Sequence, residues 1–321
     1  MNVLAVVLAL WAALANGAAS VLQRRAAMEQ TESEAVGGRP AVWQGMRGLA
    51  RLVRRPFWLA GVTALGLSAV LQAGALAVGS LSVVQPLMAS ELLFTLLLGT
   101  VVFPHRPGGG TWLSFLMLAA GLALFLAAVG PSAGEETGKA GTWLPVGIFA
   151  ATAVPALILV ARTLTGATGA AGAAVLGCAT AISFACTAAL IKEVTGRVQE
   201  GAAVVFTTGY VYALGCAGLL SLLLLQSALR AGTLAASQPA LTLGDALVSV
   251  VLGRALFGER IALGDHLLPA TLGACLVAAG TVGLSLSPAV AGHWDATRTT
   301  MRHSRADRLP TAADDEGTEA R

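Results

Sequence analysis

The sequence predicts an all-α, polytopic membrane protein with about nine transmembrane helices, and three observations lead to this fold class. The chain of 321 residues is 56% hydrophobic and only 12% charged, with a mean hydropathy of +0.76. Its apolar residues form runs of about 20, the length of helix that crosses a bilayer core. Most of its charges lie between these runs and in the tail after Pro288. A soluble domain of this length would carry more charge on its surface.

Nine candidate spans follow from these runs, and membrane helices tolerate the Gly and Pro within them. They cover residues 2–22, 57–77, 81–103, 111–130, 143–161, 170–191, 202–225, 233–257 and 267–286. The first run lacks the basic segment that begins a signal peptide, so we expect it to be retained as a span. We predict a transmembrane domain over residues 1–288 with a cytoplasmic loop at 23–56, followed by a disordered cytoplasmic tail at 289–321. Residues 41–55 of the loop form either an amphipathic helix at the membrane surface or a solvated basic loop.

Basic residues predict the orientation of the chain. If the N-terminus is outside, five of the 20 Lys and Arg residues lie on the outer side and the remaining fifteen on the inner side. The five are Lys139, Lys192, Arg197, Arg254 and Arg260. This asymmetry follows the positive-inside rule. We therefore predict a multi-pass protein of the cell (plasma) membrane, with its N-terminus outside and its C-terminus in the cytoplasm.

The third and eighth spans contain a repeated pattern of a Gln-Pro pair, an acid in mid-span and a Leu-Gly pair. The residues are Gln85, Pro86 and Glu91 in the third span and Gln238, Pro239 and Asp245 in the eighth. The second and seventh spans share an Ala-Leu-Gly step and a glutamine, Gln72 or Gln226. We predict repeat A over residues 1–131, a linking helix at 142–162 and repeat B at 169–288. The offset is five spans, so the copies cross the membrane in opposite directions, as in many secondary transporters.

Several motifs of the second half carry a resemblance to a known family. They are Gln238-Pro239, Leu252-Gly253, Gly258-Glu259-Arg260 and the Gly-rich ninth span. With them the chain resembles the drug/metabolite transporter superfamily, whose EamA-like members duplicate a five-helix unit. The first half departs from that pattern: it lacks the unit's first helix, and Phe103-Pro104-His105-Arg106 replaces the Gly-Glu-Arg motif.

Other stretches are similar to the NIPA-type magnesium transporters, a nine-helix branch of the same superfamily. They are Ser20-Val21-Leu22-Gln23-Arg24, Phe57-Trp58-Leu59-Ala60-Gly61 and Gln226-Ser227-Ala228-Leu229. This second resemblance implies a path for Mg²⁺ through the membrane.

Glu91 and Asp245 are the main candidates for a substrate or ion site. An ionisable side chain at the centre of a bilayer costs about 3 kcal/mol on insertion scales, so its presence needs a reason. A carboxylate there can bind a cationic substrate or carry a proton. The structural alternative is a protonated or hydrogen-bonded carboxyl, and Asp245 has the further alternative of a polar cluster with Arg254.

The remaining candidates are polar or helix-breaking residues within spans. A proline frees helix carbonyls and kinks the helix, and glutamine both donates and accepts hydrogen bonds. Gln85-Pro86 and Gln238-Pro239 are therefore either broken-helix binding elements or packing kinks. Hydrogen bonds between helices are the alternative role of Gln72 and Gln226, and the expected role of Asn16.

Two structural expectations concern small and basic residues. Close helix packing is predicted at Gly61, Gly66, Gly121, Gly273 and Gly280. Lys192 is expected at a helix end, with its amine reaching the membrane surface.

These features predict a secondary transporter that moves a small molecule or metabolite by alternating access. A transporter of Mg²⁺ or another divalent cation is an alternative, although hard cations take several oxygen ligands and the sequence offers two mid-membrane acids. A non-transporting membrane sensor or scaffold is the alternative from another class. The sequence contains no Walker, zinc or nucleophile-elbow motif, so we expect neither enzyme activity nor a cofactor. The expected partners are the lipid bilayer, a small-molecule or cation substrate and a second copy of the chain in a homodimer, without nucleic acid.

Overall fold

The computed structural model describes residues 2–37, 56–102, 108–129, 134–139, 141–163, 169–198, 200–231, 234–259 and 267–286, and this part of the chain is helices and short connections. The helices are α1 Val3–Gly37, α2 Pro56–Val78, α3 Leu81–Met88, α4 Glu91–Val102, α5 Gly109–Val129, α6 Trp143–Thr163, α7 Gly169–Val198, α8 Ala202–Thr207, α9 Tyr210–Ala231, α10 Leu234–Phe257 and α11 Leu267–Leu286. Within these ranges, nine helical segments are long and apolar enough to span a membrane, and α3 and α4 together form the third. The predicted all-α class and the nine spans are thus confirmed, and they indicate a multi-pass membrane protein.

The first helix is longer than predicted. The apolar segment Val3–Gln23 continues without a break, and α1 ends only at Gly37. The added residues include Ala, Met, Glu and Gln, which favour helix, and the next residues contain Gly38 and Pro40, which do not. The cytoplasmic loop predicted at 23–56 is therefore helical in its first part. Its amphipathic segment at 41–55 and the tail at 289–321 lie outside the described residues.

The region of the sixth and seventh spans also differs from the prediction. The span predicted at 202–225 is two helices, the short α8 and the membrane-spanning α9. Gly209 separates them with a φ of 76°, a left-handed conformation that favours glycine. The sixth span was expected at 170–191, but α7 continues to Val198. Side chains in this extension form ion pairs, and the sequence analysis did not predict those pairs.

Small residues bring helices into close contact, as predicted. A Cβ added to Gly121 on α5 would lie 2.6 Å from the backbone nitrogen of Val277 on α11. One added to Gly273 on α11 would lie 2.6 Å from the nitrogen of Phe125 on α5. Gly61 and Gly280 also face neighbouring helices closely. Gly66 was predicted wrongly, because it is exposed and no atom lies within 4 Å of an added Cβ.

The helices pack in three main groups. α5 pairs with α11, α1 packs on α2 and on α4, and α7 packs on α9 and α10. The third span and the sixth are the most enclosed, with 67% and 61% of their residues buried, against 11% for the span of α6. The third span and α7 therefore form the centre of the bundle, and α6 lies at its periphery.

Candidate functional site

The third span is interrupted immediately before Glu91. α3 ends at Met88 and α4 begins at Glu91. Between them the backbone turns tightly: the nitrogen of Ala89 donates to Pro86 O at 3.1 Å, and the nitrogen of Ser90 donates to Leu87 O at 3.0 Å. The predicted distortion at Pro86 is thus a break in the helix. Glu91 begins a new helix, whose first backbone N–H groups donate to the turn: the nitrogen of Leu93 donates to Ser90 O at 3.0 Å.

Asn16 contacts Glu91 from the first span. Its side-chain Nδ2 donates a hydrogen bond to Glu91 Oε2. The neighbouring Gly17 permits this approach, because a Cβ there would lie 3.0 Å from the backbone nitrogen of Thr95. The expected helix–helix hydrogen bond of Asn16 is confirmed, and its acceptor is the candidate site residue itself.

Asp245 lies in the middle of α10 and faces the same interior region. The charge of Glu91 acts on the Asp245 carboxyl through the protein interior. Its Oδ1 is buried and has no hydrogen-bond partner among the described residues. Ser249, which is fully buried one turn further along α10, lies beside it. The two predicted acids therefore face the same interior region.

The packing of α3 against α10 places these groups at defined depths. A Cβ on Gly253 of α10 would lie 2.6 Å from Ser82 Oγ of α3. Because α10 ends where α3 begins and the two helices pack on each other, they run in opposite directions. At about 1.5 Å per helical residue, Glu91 lies roughly 13 Å beyond Ser82 along the third span. Asp245 lies about 12 Å before Gly253 along α10. Glu91 and Asp245 are therefore expected at the same depth along the two helices, in agreement with their electrostatic interaction.

Gln85 lies between that level and Ser82. Its side chain is 4% exposed, and its Nε2 has no hydrogen-bond partner within the described ranges. An amide donor that is buried without an acceptor costs free energy. It is therefore available to a polar ligand in the interior.

The matching residues of the second half are arranged differently. Pro239 is buried and Gln238 is half-buried, but α10 continues through them without a break. Since α3 and α10 are antiparallel, Gln85 and Gln238 lie on opposite sides of the Glu91 level. The two halves therefore share residue types, while only the first has a broken helix.

Three further residues do not join the acids. Gln72 is half-buried on α2, about halfway between the middle of that helix and its end. Gln226 is exposed near the end of α9. Arg254 is also exposed, about 13 Å along α10 from Asp245. The predicted cluster of Arg254 with Asp245 is therefore wrong.

A second charged cluster lies at the end of the bundle where α3 begins and α7 and α10 end. We call this end the Glu259 side. Lys192 Nζ donates to Glu259 Oε1 at 2.8 Å and to Gly79 O at 2.9 Å. The two side chains are 4% and 0% exposed. Lys192 also lies over the ring of Phe257, 4.8 Å from its centroid. The expectation that Lys192 reaches the membrane surface was wrong, because α7 continues past it and its amine is paired inside the protein.

Glu259 also binds the start of α3. Its carboxylate accepts hydrogen bonds from the backbone nitrogens of Leu81, at 2.6 Å, and Ser82, at 2.9 Å, and from Ser82 Oγ at 2.5 Å. These are the free N–H groups of a helix N-terminus, which attract anions. Glu259 is the middle residue of the Gly-Glu-Arg motif that the sequence showed. Its bond to α3 was not predictable, because it joins residues far apart in the chain.

A neighbouring pair fixes the connection between α5 and α6. Glu193 is fully buried and accepts hydrogen bonds from Arg197 Nε at 2.8 Å and from the backbone nitrogen of Gly138 at 2.5 Å. In the same connection, the backbone nitrogen of Glu135 donates a hydrogen bond to Phe257 O at 2.8 Å. The Glu259 side is therefore closed by charged and backbone contacts in addition to apolar packing.

Comparisons with known proteins leave the family open. The chain is 27% identical over 267 residues to an uncharacterized protein of Corynebacterium glutamicum, an overlap of 82% of this chain and 88% of that protein. No protein-family profile matches it, and no solved structure matches it. Within the described residues, no three His, Cys, Asp or Glu side chains are grouped as a metal site would require.

Proposed function

We propose that this protein is a secondary transporter of the drug/metabolite transporter type, which moves a small molecule or metabolite by alternating access. The observation that carries the proposal is the interaction of Glu91 and Asp245 beside a helix break. Two carboxyl groups placed together in mid-membrane repel each other when both are charged. A cationic substrate or a proton relieves that repulsion, so loading of the site changes its energy.

The helix packing supports the inverted repeat that such a mechanism uses. With spans 1–4 matched to spans 6–9, the packing of α1 on α2 corresponds to that of α7 on α9. The packing of α1 on α4 corresponds in the same way to that of α7 on α10. The last pair, α5 and α11, consists of matched helices from the two halves. A site at the interface of two such repeats is the usual transporter arrangement.

Serine hydrogen bonds add to this correspondence. Ser68 Oγ on α2 donates to Ala12 O on α1 at 2.8 Å. Ser221 on α9 bonds with Ser183 on α7, also at 2.8 Å between the hydroxyl oxygens. The first and second spans of each proposed repeat are thus joined by a buried serine.

Uptake into proteoliposomes of purified protein tests the proposal. The panel contains organic cations, neutral metabolites and Mg²⁺, each with and without a pH gradient. We expect uptake of at least one compound by the wild type and its loss in Glu91→Gln, which keeps size and hydrogen bonding but removes the charge. Glu135→Gln, at an exposed acid outside the site, is the matched control.

The outcomes separate the alternatives. Uptake of Mg²⁺ alone favours the divalent-cation transporter over the metabolite transporter. Full activity of Glu91→Gln removes Glu91 from the site. No uptake of any compound by correctly inserted wild-type protein counts against transport and favours a sensor or scaffold.

A further inference from the structure

We propose that Lys192 and Glu259 form a latch that closes the central site toward the Glu259 side, so that both are positioning residues of the transport cycle. The inference rests on the proposed function, because a latch matters only if the site opens to that side. The two residues do not touch the Glu91–Asp245 pair. They act through the first half of the broken helix.

The latch joins three parts of the chain. Glu259 follows α10 and binds the backbone nitrogens at the start of α3. Lys192 on α7 binds Glu259 and also the carbonyl of Gly79, just before α3. Separation of α3 from α7 and α10 on this side must therefore break the bonds of Glu259 to Leu81 and Ser82 together with the bond of Lys192 to Gly79 O.

Burial of this pair points to a two-state role. Two charges lose much hydration when they are buried, and well-packed apolar residues often give equal or better stability at such sites. In an open state, both charges would regain water. This hydration partly offsets the cost of breaking the bonds. The closed and open states therefore become closer in free energy, as an alternating cycle requires.

The latch lies about two helical turns from the proposed site. Gly253 contacts both Ser82 and Glu259 so closely that an added Cβ would lie 2.6 Å from Ser82 Oγ and 2.9 Å from Glu259 Cδ. Ser249 follows one turn inward, about 6 Å away. Beside the latch, an open groove of about 570 Å³ runs along α10 and is lined by Lys139, Val251, Arg254 and Glu259, among others.

Thiol accessibility of the interior tests the latch. Ser249→Cys is placed in a chain whose four native cysteines are replaced, and a membrane-impermeant thiol reagent is applied from each side in turn, with intact cells and inverted vesicles. The first test variant is Lys192→Gln with Glu259→Gln, which leaves no unpaired buried charge. The second is Gly253→Ala, which adds one methyl group at the latch and keeps both charges.

We expect both variants to raise the rate of modification from the Glu259 side by about tenfold or more, and to lower it from the opposite side, because the populations of the two states shift in opposite directions. Ser221→Ala is the matched control, since it removes a buried hydrogen bond from α9 to Ser183, elsewhere on α7, and should change neither rate.

A rise on both sides would show local unfolding and overturn the latch, and so would unchanged rates in both variants. The labelling needs no transported compound. A failed latch and a failed transport assay are therefore distinguishable results.

Discussion

Asn16 donates a hydrogen bond to Glu91, the first residue after the break in the third span. The bond links α1 to the point where α4 begins. Glu91 is thereby held by an amide, and its charge acts on Asp245. In the proposed transporter, a substrate at these acids would exchange contacts with groups of the protein that are already ordered.

Asn16→Ala should lower transport strongly. The substitution removes the donor to Glu91, and loss of a partner for a buried polar group costs about 1–3 kcal/mol. Uptake in proteoliposomes and the thermal unfolding temperature are measured together. We expect a large fall in uptake and a moderate fall in stability.

The control for Asn16 is Ser68→Ala. Ser68 bonds to Ala12 O and joins α1 to α2, so its loss costs about 1 kcal/mol of stability without touching Glu91. Its uptake should stay near the wild-type level. Equal losses of uptake in the two variants would mean that Asn16 serves only the packing of α1.

A charge swap at the latch should fail to restore stability. In Lys192→Glu with Glu259→Lys, a carboxylate would face the carbonyl of Gly79, and an ammonium would face the N–H groups at Leu81 and Ser82. Those groups repel the new charges, so the swap should unfold at a lower temperature than the double glutamine variant. A swap as stable as the wild type would show that only the ion pair matters, and that the helix cap does not.

Glycine contacts between α5 and α11 should dominate the stability of that pair. Gly121→Leu forces a side chain against the backbone of Val277, where even a Cβ would lie 2.6 Å away. We expect a loss of about 2 kcal/mol or more, measured by thermal unfolding in detergent. Gly66→Leu is the matched change, because that position is open and helix propensity favours leucine by about 1 kcal/mol. Similar losses in both variants would contradict the close-packing role.

The sequence predicted the parts of the structure that depend on local composition. Runs of apolar residues predicted nine spans, which the described helices confirm, and the acids in mid-span remain a predicted pair. Pro86 and Pro239 show where such reasoning stops. Both lie in the same local pattern, yet only the first is followed by a helix break. The difference arises from packing, since the start of α3 is held by Glu259, far away in the chain.

Buried charges were the least predictable feature. Lys192 stands in a sequence that also suits a surface-reaching lysine, and nothing within α7 indicates its partner. Its pairing requires the end of α10 to meet the start of α3, which is a tertiary contact. The predicted close packing at Gly66 was wrong for the converse reason. Small residues are common in membrane helices, and only the position of a neighbouring helix decides whether a small residue makes a close contact.

Topology can be measured with single cysteines in the chain lacking native ones. Glu135 and Glu200 are exposed at the Glu259 side, which the basic residues predict to be outside. Arg162 is exposed at the opposite end of α6. Cysteines at Glu135 and Glu200 should react with an impermeant reagent in intact cells, whereas a cysteine at Arg162 should react only after lysis. The reverse pattern would place the N-terminus in the cytoplasm.

Neutralising the central acids should stabilise the protein while abolishing its transport. Glu91 and Asp245 interact electrostatically inside the bundle, and Asp245 Oδ1 has no partner among the described residues. Replacement of either carboxyl by its amide removes the mutual repulsion and much of the cost of burying charge. We therefore expect Glu91→Gln and Asp245→Asn each to raise the unfolding temperature, by an amount equivalent to about 1 kcal/mol or more.

The double variant measures the coupling directly. If the gain in stability comes from repulsion between the two carboxyl groups, either single amide substitution already removes that repulsion. The second substitution should then raise the unfolding temperature less in the double variant than it does as a single variant. Interacting residues typically show such non-additivity of about 0.5–3 kcal/mol. A purely structural role predicts the opposite sign, because each carboxyl would then be stabilising its neighbours and its loss would lower the unfolding temperature. Additive gains from the two amides would show that the acids are independent, and the shared site would have to be abandoned.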